Sequence, residues 1–270
     1  EKEFAKIHSL RFAISANSGT SALQVAVHAL KSLDGWKDGD EILVPALTFI
    51  ATSNVVLSNN LKPIFVDIDK RTYNIDPKKI EEKITKKTRA IMPVNLCGLP
   101  ADMKAIMKIA QKHKLRVIED SCETMFVKRN GKMVGSLSDI ACFSTYVAHI
   151  LTTGVGGLAL TNDKEIAIKL RSLVNHGRDS IYISIDDDKN KSGEKMKEII
   201  SRRFSFIDIG YSYRITEFEG ALGLAALIHW KKDLQLRQKN AKMLLNGLTQ
   251  FSDFLQLPSI PSGAEHAFMM

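Results

Sequence analysis

Short apolar, β-branched runs alternate along this chain with longer stretches whose apolar positions recur every three or four residues. The short runs predict strands at residues 12–15, 41–45, 62–67, 90–96, 116–119, 140–145 and 157–160. The longer stretches predict helices near residues 21–32, 51–58, 77–84, 101–112 and 163–175. Strand and helix taking turns in this way predicts an α/β fold, a mainly parallel sheet wrapped by helices, because parallel neighbours need long crossover connections.

The pattern changes at the ends and in the last third. Residues 1–10 read as the end of a helix already under way, and residues 266–270 stop in an apolar run with no cap or turn. From about Ser180 to Ser201 the chain turns polar, which predicts an inserted loop rather than a second domain. Residues 217–227 are small and apolar enough for a tightly packed helix, and residues 230–251 predict one long amphipathic helix with a charged face.

Composition narrows the class. The 270 residues are 44% hydrophobic and 25% charged, as in an ordinary globular chain. No run approaches the ~20 apolar residues of a membrane span. The first residues lack the basic-then-apolar layout of a signal peptide. Cys97, Cys122 and Cys142 are too far apart for a zinc pattern, and no metal site is expected; their wide spacing suits a reducing cytoplasm. The net charge of +8 comes from lysines scattered over helix-like segments without an arginine block, so nucleic acid is not favoured. An anionic small substrate fits the charge equally well.

Several positions could carry chemistry. Asn17-Ser-Gly-Thr-Ser21 follows a strand and opens a helix, so it is either a phosphate seat or a plain helix cap. Glu119-Asp120 ends an apolar strand, where open α/β sheets place ligand groups; a capping carboxylate is the alternative. Phe49 lies just past another strand and could stack on a planar ring or simply pack in the core. Tyr211-Ser-Tyr-Arg214 could clamp an anion or belong to an interface. His149 stands alone in Phe143-Ser-Thr-Tyr-Val-Ala-His149, ahead of Gly154-Val-Gly-Gly157. That glycine run precedes a strand rather than a helix, so it is no dinucleotide fingerprint, and no P-loop is present.

The order of these features resembles the sugar aminotransferase family of fold-type-I pyridoxal-phosphate (PLP) enzymes. The matching segments include Ser18-Gly-Thr-Ser-Ala-Leu23, Gly39-Asp-Glu-Ile-Leu-Val-Pro-Ala46, Phe65-Val-Asp-Ile-Asp69, Ile118-Glu-Asp120, Phe143-Ser144, Gly156-Gly157, Asn175-His-Gly177 and Gly210-Tyr-Ser-Tyr-Arg214. The resemblance implies a PLP-binding large domain over residues 1–215, and long helices over 216–270 leading into an incomplete C-terminal small domain. It assigns Gly19, Thr20 and Ser144 to the cofactor phosphate, Phe49 to stacking on the pyridine ring, and Asp120 to the pyridinium nitrogen. Glu123 stands near the ring hydroxyl, where the family usually has glutamine. Ser212 stands where the family usually has an asparagine reaching the partner subunit's phosphate, and Val155 where relatives often carry glutamate. A cytoplasmic homodimer acting on a nucleotide sugar, with glutamate as amino donor, is implied as well.

The departure at His149 is the sharpest. The family places its Schiff-base lysine there, yet no lysine occurs from Cys142 to Asp163. An imidazole cannot form that linkage, so the cofactor is expected to sit untethered, most usefully as pyridoxamine phosphate (PMP). In this the chain is similar to the histidine-containing 3-dehydratases of nucleotide-linked 4-keto-6-deoxysugars, the GDP-4-keto-6-deoxymannose 3-dehydratase branch, whose loop Glu119-Asp-Ser-Cys-Glu-Thr-Met125 also resembles. The resemblance then implies His149 as acid/base in removal of the carbon-3 hydroxyl. An aminotransferase without the lysine, and a noncatalytic homologue that only holds cofactor or sugar, stay open as alternatives.

Overall fold

The computed structural model describes residues 1–179 and 188–269. Its elements in chain order are α1 (Lys2–Ile7), β1 (Phe12–Ala16), α2 (Gly19–Asp34), β2 (Glu41–Pro45), α3 (Ala51–Ser58) and β3 (Lys62–Val66). There follow β4 (Thr88–Ile91), α4 (Met103–His113), β5 (Arg116–Asp120), a small hairpin of β6 (Lys128–Arg129) and β7 (Lys132–Met133), then β8 (Ile140–Ser144) and β9 (Gly157–Thr161). The chain continues through α5 (Lys164–Val174), α6 (Gly193–Arg203), α7 (Glu217–Leu227) and α8 (Trp230–Leu248).

Seven strands form one sheet in the order β1-β9-β8-β5-β4-β2-β3. The pairs among β3, β2, β4, β5 and β8 are parallel, and β9 runs antiparallel to both of its neighbours. With β9 the reversed member, β1 points the same way as β8. The carboxyl ends of β1, β2, β5 and β8 therefore lie along one edge, the usual edge for ligands in such sheets.

Period-two alternation divides the strand residues between two faces. Ile14, Val44, Ile118 and Cys142 pack under α2, α3 and α5. Leu43, Ile91 and Val117 pack with Ile106 and Ala110 of α4. Nearer β1, Ala13, Phe143 and Leu160 meet Phe4 of α1 and Phe126. Burial on both faces explains why β2, β8 and β9 are apolar through their middles, without alternation.

Four expectations need correction. Residues 77–84 form two 3₁₀ turns, Pro77–Lys79 and Glu81–Lys83, because Ile80 is their one fully buried anchor among lysines and glutamates. The fourth strand stops at Ile91 rather than Leu96, since Pro93 has no N–H to continue the ladder. Of the expected loop 180–201, residues 180–187 lie outside the described residues. Residues 193–203 form α6 instead, held by buried Ile199 and by the Arg202–Asp179 ion pair at 2.9 Å. The helix at 217–227 forms, but it is not tightly packed within this chain: Phe218 is 82% exposed and none of its residues is buried.

Candidate active site

The site is built where the carboxyl ends of β5 and β8 meet the amino end of α2. Ser18 caps α2, its hydroxyl accepting from Ser21 N at 3.0 Å, while Ser21 donates to Asn17 Oδ1 at 2.6 Å. First-turn amides of a helix have no intrahelical acceptor. With Ser21 capped, those of Gly19 and Thr20 remain for an anion. Glycine is required at position 19 by space: a Cβ there would stand 2.6 Å from Ser144 Cβ and 2.8 Å from Cys122 Sγ. The same packing wedges Gly157 against Ser18, where a Cβ would lie 2.3 Å from the carbonyl oxygen. Gly19, Ser144 and Cys122 are thus brought together, with Ser144 buried and Thr20 exposed.

Asp120, at the end of β5, is buried. Its Oδ2 accepts from Thr52 Oγ1 at 2.8 Å and its Oδ1 from Cys122 N at 3.2 Å. Burial raises its pKa against those two hydrogen bonds. A desolvated carboxylate that lacks a cation is costly, so this position favours a protonated ring nitrogen as its partner. Glu123 accepts from Cys97 N at 2.7 Å, and burial, with Asp120's charge adding to it, pushes its carboxyl up. Phe49, past the end of β2, is 67% exposed. That exposure rules out core packing and leaves its ring free for stacking.

The loop leaving β8 carries His149. It is pinned by Thr145 N to Gly156 O at 2.9 Å, Thr153 N to Thr145 O at 2.8 Å, and the Thr145–Thr153 hydroxyl pair at 2.7 Å. Gly156, at φ 146°, can close this turn because it has no Cβ, which would sit 2.5 Å from Thr145 Oγ1. His149 N donates to Tyr146 O at 2.9 Å, and the two rings meet edge to face at 6.2 Å. Both imidazole nitrogens are buried without a hydrogen-bond partner among the described residues. Desolvation lowers the pKa of this ring, so it is neutral at pH 7.

Some functional side chains were not legible in the sequence. Thr52 holds Asp120 from 68 positions away, and only its spacing from Thr48, whose hydroxyl it meets at 2.7 Å, hints at a shared role. Asn95 donates to Glu119 at 2.7 Å and to Ser121 at 2.8 Å, and its carbonyl accepts from Thr124, fixing the turn after β5. Ser212 and Arg214 form an exposed pair next to this cluster: Tyr213 O, between them, accepts from Asn17 N at 2.7 Å, and Arg214 donates to Ser212 Oγ and Asn175 Oδ1, both at 3.0 Å.

Known proteins resemble this chain over its whole length. A family model described as the DegT/DnrJ/EryC1/StrS aminotransferase family matches residues 1–270. GDP-perosamine synthase of Caulobacter vibrioides is 37% identical over 270 residues, covering all of this chain and 66% of that protein. GDP-4-keto-6-deoxy-D-mannose 3-dehydratase of Yersinia pseudotuberculosis is 34% identical, covering 89% of this chain and 61% of its own length. Among solved structures, an aminotransferase from Psychrobacter cryohalolentis superposes with a TM-score of 0.88 at 32% identity, covering 100% of this chain and 67% of that one. The E. coli GDP-4-keto-6-deoxy-D-mannose-3-dehydratase with bound hydrated PLP gives 0.86 at 31%, covering 100% and 68%. The chain thus spans about two thirds of the length of the relatives it matches. Among the described residues no helix is long and apolar enough to cross a membrane.

Proposed function

We propose that this chain, which belongs to the DegT/DnrJ/EryC1/StrS aminotransferase family, supplies the catalytic site of a dehydratase acting on a nucleotide-linked 4-keto-6-deoxyhexose. The carbon-3 hydroxyl leaves, and His149 is the acid/base. The observation that carries this reading is an imidazole, at the position of the family's lysine, with two buried nitrogens that have no partner among the described residues.

The residues present fit PLP or its amine form. The free amides of Gly19 and Thr20, with the Ser144 hydroxyl, would hold the phosphate. Asp120 would hold the protonated ring nitrogen, Phe49 would lie on the ring face, and Glu123 would stand near the ring hydroxyl. Bound as PMP, the cofactor would supply an amine for carbon 4, an electron sink, and the two electrons that loss of the carbon-3 oxygen requires.

His149 does the proton work. Neutral at pH 7, it accepts a proton at a ring nitrogen and returns it to the departing hydroxyl, which leaves as water. Its orphaned nitrogens suit that task, since neither is committed to holding the ring in place. Thr52 keeps Asp120 oriented, and the Thr145–Thr153 pair keeps the loop closed under His149.

The same reading takes glutamate as the amine donor that restores PMP. It places cofactor binding in residues 1–215 and assigns residues 216–270 to helices leading to a smaller domain. It makes the assembly a cytoplasmic homodimer, which the exposure of Ile209 (85%) and Phe218 (82%) supports. Sedimentation of the full-length protein would show a dimer; a monomer at micromolar concentration would exclude that part.

A second reading is an aminotransferase, favoured by the higher identity to GDP-perosamine synthase. Mass spectrometry separates the two. Full-length protein, with PMP and glutamate, is given candidate 4-keto-6-deoxy nucleotide sugars. The dehydratase yields a sugar lighter by one oxygen, with ammonia released. A sugar bearing an amine identifies the aminotransferase, and cofactor binding with no sugar change identifies a noncatalytic homologue.

A further inference from the structure

A groove of about 460 Å³ runs between α4 and the β6–β7 hairpin. It lies on the sheet face away from α2: Val117 packs with α4, Ile118 packs under α2, and Glu119 shares the parity of Val117. The groove is therefore separate from the cluster around Asp120 and Ser144. Its volume falls in the range of small-molecule sites.

Two properties of the lining define a ligand. Met103, Met107, Met133 and Leu137 give an apolar wall, and thioethers pack well on aromatic rings. Lys104 and Lys108, one turn apart on α4, face the same space as Lys132 from the hairpin. None of these three lysines has a carboxylate partner among the described residues.

Arg129 adds a further donor. Its Nη1 donates to Pro100 O at 2.8 Å and its Nη2 lies 3.5 Å from Asp102, which leaves a buried Nε–H without a partner among the described residues. The carboxylate inside the groove, Glu119, is fully buried, accepts from Asn95, from Gly135 N at 2.8 Å and from the Ser138 hydroxyl at 3.2 Å, and makes no ion pair with the three lysines among the described residues.

We infer that this groove binds an amphipathic anion, a planar aromatic body against the methionines with a phosphate on the lysines, as a nucleoside monophosphate carries. Glu119, which lines the groove, precedes Asp120 on β5, so an occupant would touch the strand that ends in Asp120.

The test is methyl NMR of full-length protein labelled at methionine, with the three signals assigned by single Met→Leu variants and AMP as the probe. AMP shifts the methyls of Met103, Met107 and Met133 saturably. Adenosine alone and inorganic phosphate alone bind at least tenfold more weakly. The exposed double variant K104E/K108E, its fold checked by circular dichroism, weakens AMP at least tenfold, and added salt weakens the wild type. The inference is overturned if those three methyls do not move, or if the double variant binds AMP as tightly as the wild type. Shifts confined to other methionines also overturn it, because they place AMP elsewhere.

Discussion

A half-buried imidazole usually finds at least one hydrogen-bond partner, because an unpaired buried nitrogen costs about 1–3 kcal/mol. His149 has none among the described residues, which makes it a group waiting for a ligand atom. His149→Asn keeps a polar side chain but cannot take up a proton near neutral pH. It should reduce dehydration by about 10²–10⁴-fold, measured as kcat with cofactor saturating. In the wild type, burial lowers the His149 pKa, so the acid limb of the rate profile should fall below the ordinary histidine value. A limb at or above pH 6.5 would contradict the assignment. His149→Lys should give a new visible absorbance when PLP is added, removed by borohydride; its absence would count against the pocket. Asp120 behaves differently. Because burial opposes its charge, Asp120→Asn should leave the thermal midpoint without cofactor equal or higher, while the rise on adding PLP shrinks. An equal rise in both proteins would remove Asp120 from the site.

Between residues and fold stands the junction of α2 with β8 and β9. Gly19 and Gly157 are both there because backbone passes where a methyl would go. Gly19→Ala should cost about 1–3 kcal/mol by overpacking and should weaken PLP binding by displacing the helix end. Urea denaturation and PLP titration measure the two effects; loss of neither would mean that the junction yields freely. This junction also shows what the sequence could reveal. Ser18-Gly-Thr before a helix, Asp120 closing an apolar strand, and Ser144 closing another are local patterns, and the parallel sheet carries all three to one edge. Thr52 and Asn95 were invisible because their roles come from contacts across the sheet, not from neighbours in sequence. Residues 77–84 misled for the opposite reason: the helical spacing was present, but only Ile80 is fully buried.

Across the whole molecule, stability in acid should depend on buried histidines that take no part in the proposed chemistry. His8 is fully buried, stacked on Phe4 at 4.6 Å and near Phe143 at 4.5 Å, with Nδ1 3.0 Å from Val134 O. It fastens α1 to the segment after the hairpin. A second proton would place a cation among aromatic rings, and burial lowers its pKa from 6.5 to about 4. His266, stacked on Phe268 at 4.0 Å, is likewise lowered to about 4 by burial. Above pH 6.5 both are neutral folded and unfolded, and they add no pH dependence. Between 6.5 and 4 the unfolded chain takes up protons that the folded chain refuses, so stability falls as pH falls. For His8 alone that loss is roughly 3 kcal/mol over the window. His8→Asn keeps a donor for Val134 O without titrating. It should lower stability at pH 7.5 through the lost ring, yet lose roughly 2–3 kcal/mol less than the wild type on going to pH 4.5. Urea midpoints at the two pH values measure the difference. Parallel losses in the two proteins would show that His8 is not what makes the fold acid-sensitive.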